Sequence, residues 1–197
     1  MPDLAAKAPE TSVVRQPRWL RWLIAAGAVP IVMSLALFVV LPALHVGRVY
    51  STATKSMSPT LEVGDYIYSN QLAYRNTRPA RGDLVVVDVN NWQVSGIWVR
   101  RIAGVPGDVI SVQNSTLMLN GRPLHSPIGA SYQLISRSDA ALLRDTDSLT
   151  VPPDSYFVLG DNEPHSFDSR HHGMLPRGKI LGRVSFRLWP FARIGSL

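Results

Sequence analysis

Ser56 stands in the run Lys55-Ser56-Met57-Ser58-Pro59-Thr60-Leu61, where a hydroxyl could serve as a nucleophile. Serine is a weak nucleophile at neutral pH, so such chemistry needs a base to take its proton and donors to hold an oxyanion. Taken alone the run reads as a loop, because Ser and Pro favour turns and Pro59 fixes its own φ. Two later blocks add reactive groups: Val99-Arg100-Arg101-Ile102-Ala103-Gly104-Val105-Pro106-Gly107-Asp108, and Gly160-Asp161-Asn162-Glu163-Pro164-His165-Ser166-Phe167-Asp168-Ser169-Arg170. Asp168 and Arg170 lie two apart, and a planar guanidinium can grip a carboxylate with two bonds and so tie a loop beneath a site. His165, Asp168, His171 and His172 are metal-ligand types, but their spacing fits no helical zinc motif, so neither a metal nor another cofactor is expected. The absence of cysteine excludes a thiol nucleophile, a disulfide scaffold and any cysteine-based cluster.

These groups must be positioned by what surrounds them. From Trp22 to Leu44 the chain carries no charge, and these 23 residues exceed the roughly 20 that cross a bilayer core as a helix. The expected layout is a cytoplasmic tail over 1–21, a transmembrane helix over 22–44 and one extracytoplasmic domain over 46–197. Pro30 and Pro42 are tolerated there as a kink and a terminus. Leu41-Pro42-Ala43-Leu44-His45-Val46 offers no good cleavage site, which favours an anchor over a removed secretory signal. Lys7, Arg15, Arg18 and Arg21 precede the span and only Arg48 and Lys55 follow closely, so the N-terminus is expected in the cytoplasm of a single-pass cell-membrane protein. The net charge of +6 is scattered, which argues for contact with anionic lipid and against nucleic acid.

Beyond the span, short Val-, Ile- and aromatic-rich runs alternate with Gly, Pro, Asn and Asp, which predicts a mainly β domain. Strands are expected at 66–69, 84–89, 97–102, 109–113, 116–119, 156–159 and 180–188, with a tight hairpin at Asn120-Gly121. Gly64-Asp65, Gly82-Asp83 and Gly107-Asp108 read as turns that lead into strands. Residues 123–150 read as an excursion or small subdomain. Asn114-Ser115-Thr116 fits a glycosylation sequon and a hairpin turn equally well, and the five tryptophans read as core and interface anchors.

The ordered blocks, with Leu181-Gly182-Arg183-Val184 and Arg193-Ile194-Gly195 near the end, resemble the type I signal peptidases, membrane serine proteases with a Ser/Lys dyad, over roughly residues 20–197. The resemblance implies an antiparallel, barrel-like β catalytic domain tethered by one N-terminal transmembrane helix. It further implies serine endopeptidase activity on the signal sequences of exported preproteins, with no cofactor. Ser56 would be the nucleophile, and its amide with the Thr54 hydroxyl would form the oxyanion hole. Met57 and Pro59 would shape the groove wall, Gly160 and Asp161 would let the loop approach closely, and Ser166 would steady the base. Asp168 and Arg170 would support from below.

The chain departs from the family at one position. The dyad lysine is replaced by Arg100, and a guanidinium stays protonated in proteins, which makes it a poor base. Ser166 would then orient that guanidinium instead. Three readings stay open: another base serves, with His165, His171 and His172 better suited than Lys55; the chain is a weak or inactive peptide-binding assembly factor of pilus or secretion type; or an altered dyad persists in an otherwise functional lineage. A dedicated pilin or conjugation peptidase is a narrower enzymatic variant. Oligomeric state is not readable.

Overall fold

A computed structural model describes residues 27–35, 47–90, 92, 95–127, 129–133 and 148–197. The chain divides into two units, Met1–Ala43 and Leu44–Leu197. In the first, residues 27–35 are helical. The expected tail and the rest of the expected 22–44 span lie outside the described residues, among which no helix is long and apolar enough to cross a membrane.

The second unit is mainly β and antiparallel. Its larger sheet runs β1 (Gly47–Ser51), β2 (Tyr66–Asn70), β11 (Ile180–Trp189), β3 (Leu84–Asp88), β4 (Ile97–Gly104), β9 (Ser155–Leu159), β10 (Leu175–Pro176), with β12 (Gly195–Ser196) also on β11. A smaller sheet runs β7 (Arg122–Pro123), β6 (Thr116–Leu119), β5 (Val109–Gln113), β8 (Ser148–Thr150).

Most expected strands are present within a residue or two of their bounds. At Asn120-Gly121 both residues have positive φ, 49° and 77°, as a two-residue hairpin turn demands. Asn114 and Ser115 likewise turn β5 into β6 with φ of 49° and 60°, which accounts for that triplet as a hairpin. The three Gly-Asp pairs build one repeated turn: each glycine has φ near +90°, and each aspartate accepts from a backbone N–H three residues back, Glu62, Ala80 and Val105. Of the 123–150 excursion, 134–147 lie outside the described residues.

Strand periodicity distributes the core. Leu84 and Val86 join Met57, Leu61, Ile67 and Val184 on one face of β3, while Val85 and Val87 join Ile102, Tyr156 and Val158 on the other. Strand β9 alternates in the same way: Phe157 and Leu159 turn instead to Ile110, Val112 and Leu117 of the smaller sheet. Phe157 is therefore the hinge pin between the sheets, fully buried and flanked by Gly104, where an added methyl would lie 3.1 Å from Phe157 Cβ. Phe157→Ala is expected to cost about 3–5 kcal/mol in urea unfolding; a loss below about 1 kcal/mol would show that the sheets do not share this core.

Candidate active site

Three segments converge on Ser56. Strand β1 leads through Thr52, whose N–H donates to Asp65 O at 2.9 Å, into a 3-10 turn, Lys55–Met57. Met57 and Leu61 sink into the core beside Ser56 and are bonded to each other, Leu61 N donating to Met57 O at 2.8 Å. That pins the turn so that Ser56 is buried while Lys55 is exposed. Lys55, set aside as a base from the sequence, shares this 3-10 turn with Ser56 but is exposed and leaves the site.

Strand β4 contributes Arg100, buried to 4% exposure. Its Nη1 donates to Ser56 Oγ at 3.1 Å and to Val99 O at 2.6 Å, its Nε and Nη2 donate to Phe167 O at 3.2 and 2.7 Å, and its guanidinium lies 4.6 Å from the Trp98 ring centroid. Burial pulls its pKa down to about 10, partly offset by Asp168, so it remains a cation at neutral pH. Thr54 Oγ1 is 3.1 Å from Ser56 Oγ. The neighbouring Arg101 instead grips Asp161 with two bonds, Nε to Oδ1 at 2.8 Å and Nη2 to Oδ2 at 2.7 Å.

The third segment is the loop 160–170. Gly160 must be glycine because a methyl there would sit 2.6 Å from Ser56 O and closer still to Ser166 Oγ. Asp161 is not a spacer, as expected from the sequence, but an anchor: it ties Arg101 and Thr60 to the loop. Asn162, which sequence reasoning passed over, clamps the Ser56 turn, its N–H donating to Ser56 O at 3.0 Å and its Nδ2 to Lys55 O at 2.9 Å.

Beneath lies Asp168, fully buried. It accepts from Gly160 N at 3.0 Å, Ser166 Oγ at 2.8 Å, Arg170 Nε at 2.9 Å and Arg170 Nη2 at 2.8 Å. Ser166 therefore serves Asp168, two residues away, and does not orient Arg100, whose hydrogen bonds among the described residues go to Ser56, Val99 and Phe167. Burial raises the carboxyl's pKa, but the Arg170 bonds and charge, with the Gly160 and Ser166 donors, outweigh it and hold the group below the usual carboxylate range.

The groove over Ser56 has a volume of about 310 Å³. Residues 50–54 and Met57, the start of β4 at Ile97, Trp98 and Val99, and His165 and Phe167 of the loop line it. Pro59 is not among the lining residues; its carbonyl accepts from Arg193. Trp98, read from sequence as a core anchor, is partly a groove wall. His171 and His172 are not among the groove's lining residues: His171 meets Phe167 at a tilt and His172 stacks on Trp92, with centroids 5.1 and 5.0 Å apart, and burial lowers both pKa values. The buried Asp168–Arg170 pair can be tested by removing one charge. Asp168→Asn leaves the buried Arg170 with Glu163 as its remaining carboxylate partner and is expected to cost about 3 kcal/mol of unfolding free energy. Because the native carboxyl pKa is depressed, the wild-type advantage is full above the unfolded value near about 4 and fades as pH falls through the native one. An equal stability of the two proteins at neutral pH would contradict this.

The chain matches the family described as signal peptidase, peptidase S26, over residues 22–189. Signal peptidase I of Bacillus caldolyticus is 39% identical over 147 residues, 72% of this chain and 79% of the relative. Signal peptidase I of Leptolyngbya laminosa is 33% identical over 153 residues, 73% of this chain and 70% of the relative. Signal peptidase IB of Staphylococcus aureus is 32% identical over 187 residues, 88% of this chain and 91% of the relative. With a buried serine at the floor of an apolar groove and a match across most of its length, the chain belongs to the signal peptidase family of S26 peptidases.

Proposed function

We propose that this protein is a serine endopeptidase of the signal peptidase I type, cleaving N-terminal signal sequences from exported preproteins with Ser56 as nucleophile. The observation that carries this reading is the buried Ser56 hydroxyl at the floor of the groove, within hydrogen-bond reach of both Thr54 and Arg100. Strand β9 pairs only with Arg101, Ile102 and Gly104 of β4, so among the described residues Ile97–Val99 keeps an outward edge, and β1 is itself an edge strand. An extended peptide adds between these edges, and the apolar lining takes its side chains. The Ser56 amide and the Thr54 hydroxyl hold the oxyanion, and no metal or organic cofactor takes part.

The preprotein meets the enzyme at the membrane. Residues 22–44 anchor the chain in the bilayer, the tail 1–21 stays in the cytoplasm, and the domain 46–197 works on the other side. Trp189 and Phe191, 47% and 71% exposed and packed edge to face at 4.6 Å, rest in the headgroup layer of the membrane.

Arg100 distinguishes this site from the family pattern. It donates to Ser56 Oγ and so favours an alkoxide, but it keeps its own proton at neutral pH. A lysine in the same buried place would give up its proton far more readily, because desolvation disfavours the ammonium. With detergent-solubilised full-length protein and a preprotein substrate, Ser56→Ala is expected to abolish cleavage and Arg100→Lys to raise it at least about tenfold. Equal rates for wild type and Ser56→Ala would remove Ser56 as nucleophile.

A further inference from the structure

A base for Ser56 must come from elsewhere than Arg100. His165 ends the 3-10 turn Glu163–His165, is exposed to solvent, and borders the same groove as Ser56. Asn162 locks this turn to that of the nucleophile, through Ser56 O and Lys55 O. The second of those bonds settles more than position. A carbonyl oxygen only accepts, so the end of the Asn162 amide facing Lys55 is the NH2, and the end facing His165 is the oxygen. That oxygen lies 3.3 Å from His165 Nδ1, so in the neutral ring Nδ1 is the nitrogen that carries the proton and Nε2 the one left with a lone pair. Neutral imidazole with Nε2 unprotonated is the form a serine nucleophile requires.

We propose that His165 is the general base of this enzyme, with Asn162 as its positioning residue. The proposal rests on Ser56 being the nucleophile, as read above. With peptide in the groove, His165 turns Nε2 toward Ser56 and takes the hydroxyl proton as Oγ bonds to the scissile carbonyl carbon. The carbon–nitrogen bond then breaks, and the imidazolium returns that proton to the departing amine. In the second half a water gives its proton to Nε2 as its oxygen attacks the acyl carbon. The ester bond to Oγ breaks, Oγ recovers the proton, and the carboxyl product leaves. Arg100 stays a cation throughout and steadies Oγ while it is negative. The charged groups on the elements that meet here are Arg100 of β4, exposed Lys55 on the Ser56 turn, Glu163 paired with Arg170, and Asp161 paired with Arg101. Both carboxylates are thus committed to arginines, and the amide of Asn162 is the partner of Nδ1.

The test is kcat/KM against pH for full-length protein in detergent on a peptide spanning a preprotein cleavage site, comparing wild type, His165→Gln, His165→Gln with Arg100→Lys, and Ser56→Ala. The wild type is expected to show an acid limb, since a protonated base cannot accept the hydroxyl proton. His165→Gln, at an exposed position that tolerates change, is expected to lose about 100-fold or more together with that limb. Adding Arg100→Lys is expected to bring the rate back to at least the wild-type level, since a buried lysine supplies the missing base, and this separates lost chemistry from lost folding. The proposal is overturned if His165→Gln stays within about threefold of wild type with the limb intact, if the double variant recovers nothing, or if wild type is inert while Arg100→Lys alone cuts. Those results leave the peptidase reading standing; undiminished cleavage by Ser56→Ala overturns both.

Discussion

One carboxylate organises the site. Asp168 is wholly out of solvent, and its two oxygens gather the start, the middle and the end of the loop 160–170: the amide of Gly160, the hydroxyl of Ser166 and the guanidinium of Arg170. A buried charge is tolerated only when partners of this kind surround it, so the loop has few ways to fold other than this one. With the loop so fixed, Gly160 and Asn162 meet the Ser56 turn, and Phe167 offers its carbonyl to Arg100. Ser56, the Arg100 cation beside it and His165, which borders the same groove, are all placed, directly or at one remove, by Asp168. Arg170 adds a second tie, from Glu163 at 3.1 Å, which holds the turn that ends at His165.

Arg100, a guanidinium where the family resemblance leads one to expect a lysine, gives the site a different acid–base character. A lysine ammonium gains little from a flat set of acceptors, whereas the Arg100 fork bonds Ser56 Oγ, the Val99 carbonyl and the Phe167 carbonyl and lies against Trp98. These contacts offset the cost of burying the cation without discharging it. The proton acceptor is thereby separated from the group that steadies the alkoxide, as in hydrolases that divide these tasks between an imidazole and fixed donors.

Much of the fold was legible because its signals are local. Val109–Gln113 alternates cleanly, positive-φ turns bound Thr116–Leu119 on both sides, and each Gly-Asp pair marks a strand start by bonding its own backbone. Strand β1 was not foreseen, since an edge strand with a mostly exposed face, carrying Arg48 and a half-exposed Val49, has no periodic apolar pattern. The two-residue strands β7, β10 and β12 are too short to leave one. At the site, the local pair Asp168–Arg170 could be read from spacing, whereas the target of Ser166 was misassigned because the competing acceptor is a carboxylate two residues along. The clamp by Asn162 joins residues 107 apart in sequence and leaves no mark on spacing at all. Trp98 reads with the other tryptophans as a core or interface anchor; it packs against the core and also lines the groove, a second role that sequence alone does not mark.

The central claim is that Ser56 forms a covalent acyl-enzyme in the groove between β1 and β4. Intact-mass spectrometry of full-length protein, acid-quenched during turnover of a preprotein peptide and followed by proteolytic mapping, measures that directly. The account predicts a transient gain equal to the N-terminal fragment less one water, mapping to the peptide that contains Ser56. Cleavage that proceeds with no such adduct, or with the adduct on a different residue, would contradict it.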